Sequence, residues 1–575
     1  MREKLEKRLC GIVMINSVPI ENKTVKNDTI PAESEATINY TIPIENEDDA
    51  MNYITSINKT TMNGTTSLEN EATMNDIIPL ENQSAINGTT PIEIEAATND
   101  TTPFGNEVKN RRRPLLPQVI LATVAYLTAI CNGLTAGFST ILLSQLRAHA
   151  EDISVDKSTE SWIVSLYLMG TAVGCLSSGF ILDTWGRRLS AQVSALVICI
   201  GWIVMSVASS HHLLFVGRAL GGFGRGINSP ANFYHLEEMA DPRLRGALSA
   251  CILLFYSIGI MVVSLLGTHM GWRIVAGLGA GTSLLNVLLY SFLRESPVWL
   301  VHKNRINEAS EVYSWLWGST RPMQAERDLQ ELLNRINEDN ASIPNSSSKW
   351  ICKQYFRPQV MKPFFIIHIF SLIQVLCGSN LFIFYTVDIL SGLKTDGSLD
   401  VNLTTNLTSI VRVAFMVVSC ATLVYVGRRP MSISSGLGSG IVAVVLGTLI
   451  HVQTVPAWVM IVCVLLYVAF NTYGYFVLPT IMVGEILPSK VRCVFGGYIF
   501  TMNDMAMFGA TKLFPSVHTA IGSAGLFWLF GVFSLFCCLF VYLLLPETKG
   551  RSLVQIERYF LMNNILWLTR NKIKK

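Results

Sequence analysis

From Gln118 onward the chain keeps returning to apolar runs of about 20 residues, the length a helix rising ~1.5 Å per residue needs to cross a ~30 Å hydrocarbon layer. Twelve such runs cover approximately 118–143, 161–182, 189–209, 212–234, 247–268, 273–293, 363–390, 408–426, 431–452, 457–484, 493–514 and 520–545. The sixth and seventh are separated by a polar segment, 294–362, whose "MQAERDLQELLNRINED" has helical charge patterning and suggests short amphipathic helices. The layout is six, loop, six, and the expected fold is an all-α membrane protein with twelve transmembrane helices. Composition agrees: of 575 residues half are hydrophobic and only 15% charged, with mean hydropathy +0.40, too apolar for a soluble protein of this size. Net charge is +3, from 44 Lys+Arg against 41 Asp+Glu, so no basic excess points to nucleic acid as a partner. The twelve cysteines fall singly, mostly inside apolar runs, and read as packing residues.

Residues 1–113 differ from everything after them. They hold 18 Asp+Glu and 11 Lys+Arg, many Asn and Thr, no long apolar run and no signal-peptide pattern. A unit recurs about every twelve residues, for example "INYTIPIENE" from Ile38 and "INGTTPIEIE" from Ile86. Twelve residues do not fit a heptad, proline breaks most copies, and the few apolar residues cannot offset the entropy of ordering, so a disordered tail is expected. Its Asn-x-Thr/Ser sequons, among them Asn39, Asn63 and Asn87, taken alone suggest a glycosylated stalk.

Charge placement argues otherwise. On the side of the tail the connections hold Arg187, Arg188, Arg243, Arg245, Arg428, Arg429, Lys490 and Arg492, besides the basic central segment. The opposite loops hold four cations: Arg147, Lys157, Arg273 and Lys394. Positive charge collects on the cytoplasmic side, so both termini and the 294–362 loop are expected there, in a multi-pass protein of the plasma membrane. The tail sequons then escape glycosylation, and only Asn402 and Asn406 remain as acceptors. The expected divisions are a cytoplasmic tail (1–113), a six-helix bundle (114–293), a cytoplasmic loop (294–362), a second bundle (363–545) and a cytoplasmic C-terminal tail (546–575).

The two halves repeat the same punctuation. Gly186 of "LDTWGRR" answers Gly427 of "VYVGRR", 241 residues on; Glu238 answers Glu485, 247 on; Glu295 of "RESP" answers Glu547 of "PETK", 252 on. Two halves related by an axis along the membrane normal is the parallel-repeat plan of rocking transporters. With "GRALGGFGRG" (217–226), "ESPVWL" (295–300), "GEILPSKVR" (484–492), "FWLFG" (527–531) and "PETKGRSL" (546–553), the ordered set resembles the sugar porter family of the major facilitator superfamily, in particular its facilitated trehalose transporter branch. The resemblance covers about residues 115–560 and implies the major facilitator fold and a small-molecule sugar as substrate, with no cofactor.

Asp183, Arg187, Arg188, Glu238, Arg245, Glu295, Arg428, Glu485, Arg492 and Glu547 lie at helix ends on one face of the membrane, where acids and bases can pair between helices and latch the inner gate. The alternative is that the arginines only anchor topology. Val424 stands where the family has an acid, so the second latch is expected to be weaker.

Sugars are recognised by amides and hydroxyls with aromatic faces against the ring. The seventh span, "IQVLCGSNLFIFY", resembles the family's substrate element at Gln374, Gly378, Asn380 and Tyr385, with Val375 in place of a second glutamine. On a regular helix Asn380 lies roughly 120° from the face of Gln374, so both amides reach one ligand only if the helix unwinds near Gly378; interhelical hydrogen bonding is the plainer use of both. Asn503 matches a family amide. Arg412 stands where the family commonly has asparagine, and Asp504 and Thr480 where it has tryptophan. An unpaired charge at the bilayer centre costs at least ~2.5–3.5 kcal/mol on insertion scales, so Arg412 and Asp504 are expected to pair across the cavity or to face solvent. Proton-coupled relatives usually carry an aspartate on the first span; Ser139 stands there.

Arg225, unlike Arg218, has no family counterpart and reads as snorkelling or cavity-lining. Gly222, Gly224, Gly226, Gly436, Gly438 and Gly440 lie inside spans and read as packing glycines, not phosphate cradles. His211 and His212 have no further metal ligands, and nothing resembles a nucleophile with its base, so no enzyme is expected. The expected function is facilitative transport of a sugar, trehalose or a hexose, by alternating access. Alternatives are a proton symporter, a transporter of a non-sugar organic solute, motivated by Arg412, and a non-transporting nutrient sensor, motivated by the altered site beside a long tail.

Overall fold

In the computed structural model the described residues are 114–148, 153, 155–241, 244–318, 321–341, 357–391, 401–452, 455–487, 489–551, 555–556 and 559–560, less the side chains at 247, 339–341, 359, 391 and 489–494. The repeats and sequons of residues 1–113, most of 546–575 and the Arg492 side chain lie outside them. The described secondary structure is helical throughout.

The first half comprises α1 (Leu115–Ala148), α2 (Lys157–Trp185), α3 (Arg187–Ser206), α4 (His211–Met239), α5 (Arg245–His269) and α6 (Trp272–Phe292). Asp156 caps α2, accepting from the Thr159 amide at 3.1 Å, and the Thr159 hydroxyl, then this amide, hold its carboxyl below the usual range. The polar segment between the halves holds α7 (Pro297–His302), α8 (Ile306–Trp317) and α9 (Pro322–Ala341). Trp299, Leu316 and Trp317 from them bury against Leu236 and Tyr290 of the first half. The end where they sit is called the loop end below, the other the far end.

The second half comprises α10 (Pro358–Leu376), α11 (Leu381–Ser391), α12 (Val401–Tyr425), α13 (Arg428–Val452), α14 (Ala457–Tyr473), α15 (Leu478–Ile486) and α16 (Ser489–Leu544). By length and composition ten described helices or joined pairs can cross a membrane, α10 with α11 and α14 with α15 counting once each. The glycine-rich α4 adds an eleventh. The 56-residue α16 breaks at Gly522 (φ +66) and counts twice, which gives the twelve spans read from the sequence. Leu115, Val207, Phe292 and Trp458 are each at least 67% exposed, outward-facing apolar groups that suit a lipid surroundings.

Interior glycines let the helices approach. A Cβ on Gly224 would lie 2.6 Å from Ile198, and one on Gly440 2.8 Å from Leu535, so these are packing positions as expected. One apolar core straddles the halves, joining Tyr167 and Ile260 to Phe382, Tyr385 and Phe527. The seventh span does unwind: α10 stops at Leu376, Gly378 takes φ +79, and α11 resumes at Leu381. A second break, between Tyr473 and Leu478, interrupts the tenth span.

Candidate functional site

At the loop end each half builds the same acid–base cluster. Glu295 accepts from the backbone amides of Arg187 (2.8 Å) and Arg188 (3.0 Å), so its carboxylate caps the N-terminus of α3. The Arg187 side chain then donates to Glu238 from Nη2 (2.9 Å) and Nε (3.1 Å), and the Ser296 hydroxyl donates to the other Glu238 oxygen. In the second half Glu547 accepts from the amides of Arg428 (2.9 Å) and Arg429 (3.1 Å), Arg428 Nη2 donates to Glu485 (2.7 Å), and Thr548 takes the place of Ser296. Arg188 instead binds carbonyls of α6. Asp183 pairs with Lys303 at 3.7 Å, and Trp299 Nε1 donates to the Asp183 carbonyl, tying α7 to the end of α2.

These geometries correct two expectations. The described ion pairs of the clusters join helices within one half and none crosses between halves, so they staple each bundle and do not by themselves latch a gate. The second cluster's Arg–Glu pair is as short as the first; what Val424, 67% exposed, removes is only the counterpart of the Asp183–Lys303 link. Arg245 is half-buried, with a buried Nε lacking an acceptor.

Among the described residues the ion pair that does cross lies at the far end. Arg147, at the end of α1, holds Glu160 of its own half (Nη2–Oε2 2.6 Å) and Asp388 of the other. Around it Thr140 donates to the Ile383 carbonyl, Ser161 to the Lys512 carbonyl (3.2 Å), and the Lys512 ammonium sits 3.9 Å from the Trp162 ring centre. Toward the loop end the described side-chain hydrogen bonds between halves are thiol contacts, Cys175 to Asp504 (3.7 Å) and Cys420 to the Ala250 carbonyl (3.8 Å). Among the described residues, the ion pair and the hydroxyl hydrogen bonds between halves lie at the far end.

Between the two ends lie two small cavities that share Phe382 and Arg412. The smaller is walled by Ser379, Asn471, Thr472, Tyr467 and Phe476, the larger by hydroxyls of α1, α5, α11 and α12. Of the six residues read from the sequence as substrate contacts, Arg412 alone lines them. Gln374 is buried and Asn380 half-buried at the break, and neither lines these two cavities; Asn503 has a buried Oδ1 with no donor among the described residues. Tyr385 is spent on the fold, donating to the Thr511 carbonyl at 3.0 Å and stacking on Phe514. The expected Arg412–Asp504 pair is absent. The charge facing Asp504 is Arg225 of α4, whose guanidinium lies 5.8 Å from the Tyr167 ring and 5.5 Å from that of Tyr256, while Arg412 lies over Phe476 at 5.7 Å. Arg218 clasps α1 and α2, donating to the Thr135 (2.9 Å) and Ile163 (3.2 Å) carbonyls and to Ser139. Asn471 and Thr472 were legible only as polar residues in an apolar span, and the tertiary fold, not any motif, singles them out. Asn406, read as a glycosylation acceptor, lies within α12 and accepts from Ser264 at 3.0 Å.

A twelve-span helical protein of two similar halves, fastened at one end around small internal cavities, has the architecture of a transporter. The comparisons make this specific. Residues 121–560 match the "Sugar (and other) transporter" family, and the chain belongs to it. It is 28% identical to the facilitated trehalose transporter Tret1 of Apis mellifera ligustica, over 79% of this chain and 90% of that protein. To the Tret1 of Drosophila pseudoobscura pseudoobscura it is 30% identical, over 77% and 51%. Its fold matches the inward-open structure of the xylose transporter XylE from E. coli, with TM-score 0.63 and 19% identity over 77% of this chain and 99% of that one. The protein is an integral multi-pass membrane transporter of the major facilitator fold, and not an enzyme.

Proposed function

We propose that the protein carries a sugar, trehalose or a hexose, by facilitated diffusion through alternating access, in the plasma membrane with both termini cytoplasmic. The observation that carries the reading is the wall of the cavities: an amide and hydroxyls (Asn471, Ser379, Thr472) opposite aromatic faces (Phe382, Tyr467, Phe476), the chemistry that recognises a polyhydroxylated ring. The likeness to two transporters named for trehalose supports it, and the cation-rich loop end supports the orientation. Gln374, Asn380 and Asn503 join the site in this reading when the halves tilt and the break at Gly378 moves.

Uniport rests on Ser139. Arg218, which faces it, is satisfied by carbonyls and a hydroxyl instead of a carboxylate, so the first span offers no proton acceptor. A symporter is the second reading, favoured by Asp504, a carboxylate between the halves. Uptake of labelled trehalose and glucose into proteoliposomes separates them. Uniport gives saturable uptake to equal concentrations, unaltered by a pH gradient; concentrative uptake driven by an acidic outside would establish symport, and no uptake would refute the sugar reading.

A further inference from the structure

We propose that the paired cavities at Arg412 form a carboxylate subsite, so that the sugars carried include sugar acids, pyranoses bearing one carboxylate; this deepens the sugar-transport reading and rests on it. Arg412 is 5% exposed, sits midway along α12 and lines both cavities, yet among the described residues its guanidinium makes neither a hydrogen bond nor an ion pair. The titratable groups that face it are the phenols Tyr256 and Tyr467. The carboxylate expected to neutralise it, Asp504, faces Arg225 instead. A buried, always-charged fork of donors with no counter-charge facing it suits an anionic group of a ligand.

The surrounding hydroxyls complete the match. Thr405 donates to the Val401 carbonyl, Thr408 and Ser409 to that of Thr405, Thr386 to that of Phe382, Thr140 to that of Ile383, and Ser264 to Asn406. Their protons are committed to protein acceptors, so the wall offers lone pairs, which accept from sugar hydroxyls, while Arg412 offers the strong donors. A ligand with many O–H donors and one planar anionic acceptor satisfies both. One guanidinium balances a carboxylate; a phosphate dianion would leave a charge uncompensated in the membrane interior.

The full-length protein in proteoliposomes is given D-glucuronate, D-glucose, trehalose and glucose 6-phosphate. Saturable glucuronate uptake that competes with glucose is expected. Moving a lone monoanion is electrogenic, so an inside-positive potential should raise the glucuronate ratio above one while glucose stays at one. Arg412→Gln should lower the glucuronate-to-glucose rate ratio at least tenfold, and Arg412→Lys should restore part of it. Should Arg412→Gln not fold, the potential dependence of the unaltered protein decides. Glucose or trehalose flux with glucuronate neither carried nor inhibitory overturns this inference and leaves the sugar reading standing. Preference for glucose 6-phosphate overturns the carboxylate assignment, and flux of none of the four overturns the reading beneath it.

Discussion

Gly378 shows how one residue fixes the shape of the site. Its φ of +79 costs a side-chain-bearing residue about 1–2 kcal/mol, and a Cβ there would lie 2.8 Å from the Phe530 ring, in a core where overpacking costs a further ~1–3 kcal/mol. Gly378→Ala is therefore expected to lower the thermal midpoint in detergent by several degrees and to slow transport. Gly281→Ala, inside α6 with open space around its Cβ, should be neutral or mildly stabilising. Equal midpoints for the two variants would show that the break tolerates a Cβ. The break was expected from the sequence on the condition that Gln374 and Asn380, which cannot share a face of a regular helix, reach one ligand. Which residues then line the cavity was not: that depends on how α10, α12 and α14 lean together, and a helix period does not encode it.

At the scale of elements, the duplication read from Gly186/Gly427, Glu238/Glu485 and Glu295/Glu547 becomes two copies of one device, one glutamate on a helix N-terminus and a second that holds the arginine side chain of that terminus. The sequence carried this because its glycine, arginine and glutamate members recur at offsets of 241 to 252 residues. It did not carry the partners, since a motif says which charges lie near one membrane face but not whether they meet within a half or across it. Capping a helix N-terminus with a charge contributes ~0.3–1 kcal/mol, up to ~2 kcal/mol when partly buried. Glu295→Gln and Glu547→Gln should thus destabilise by similar amounts of about 1 kcal/mol, seen as comparable drops in thermal midpoint. Asp183→Asn, which loosens only the exposed link to Lys303, should do less. A drop for one glutamate and none for the other would contradict the equivalence of the copies.

Over the whole molecule the fastening is lopsided, and this decides which variants shift the equilibrium between states. Among the described residues, hydrogen bonds between halves gather at the far end around Arg147, Ser161 and Thr140, whereas the described loop-end ion pairs each stay within one bundle, so removing a far-end contact weakens the present state relative to the one open at that end. Arg147 was visible in the sequence only as a loop cation, because its partner Asp388 lies 241 residues away with no motif linking them. The Arg147 side chain is 39% exposed and Asp388 19%, so the pair is worth at most about 1 kcal/mol, a population change of up to roughly fivefold. Ser161→Cys, buried between the halves, reports it. In an Asp388→Asn background this cysteine should react with an impermeant maleimide two- to fivefold faster, and Glu485→Gln, which breaks a pair inside one half, should leave the rate unchanged. Faster labelling in both backgrounds would mean that the loop-end clusters also hold the halves together, and unchanged labelling in both would place the gate away from Arg147.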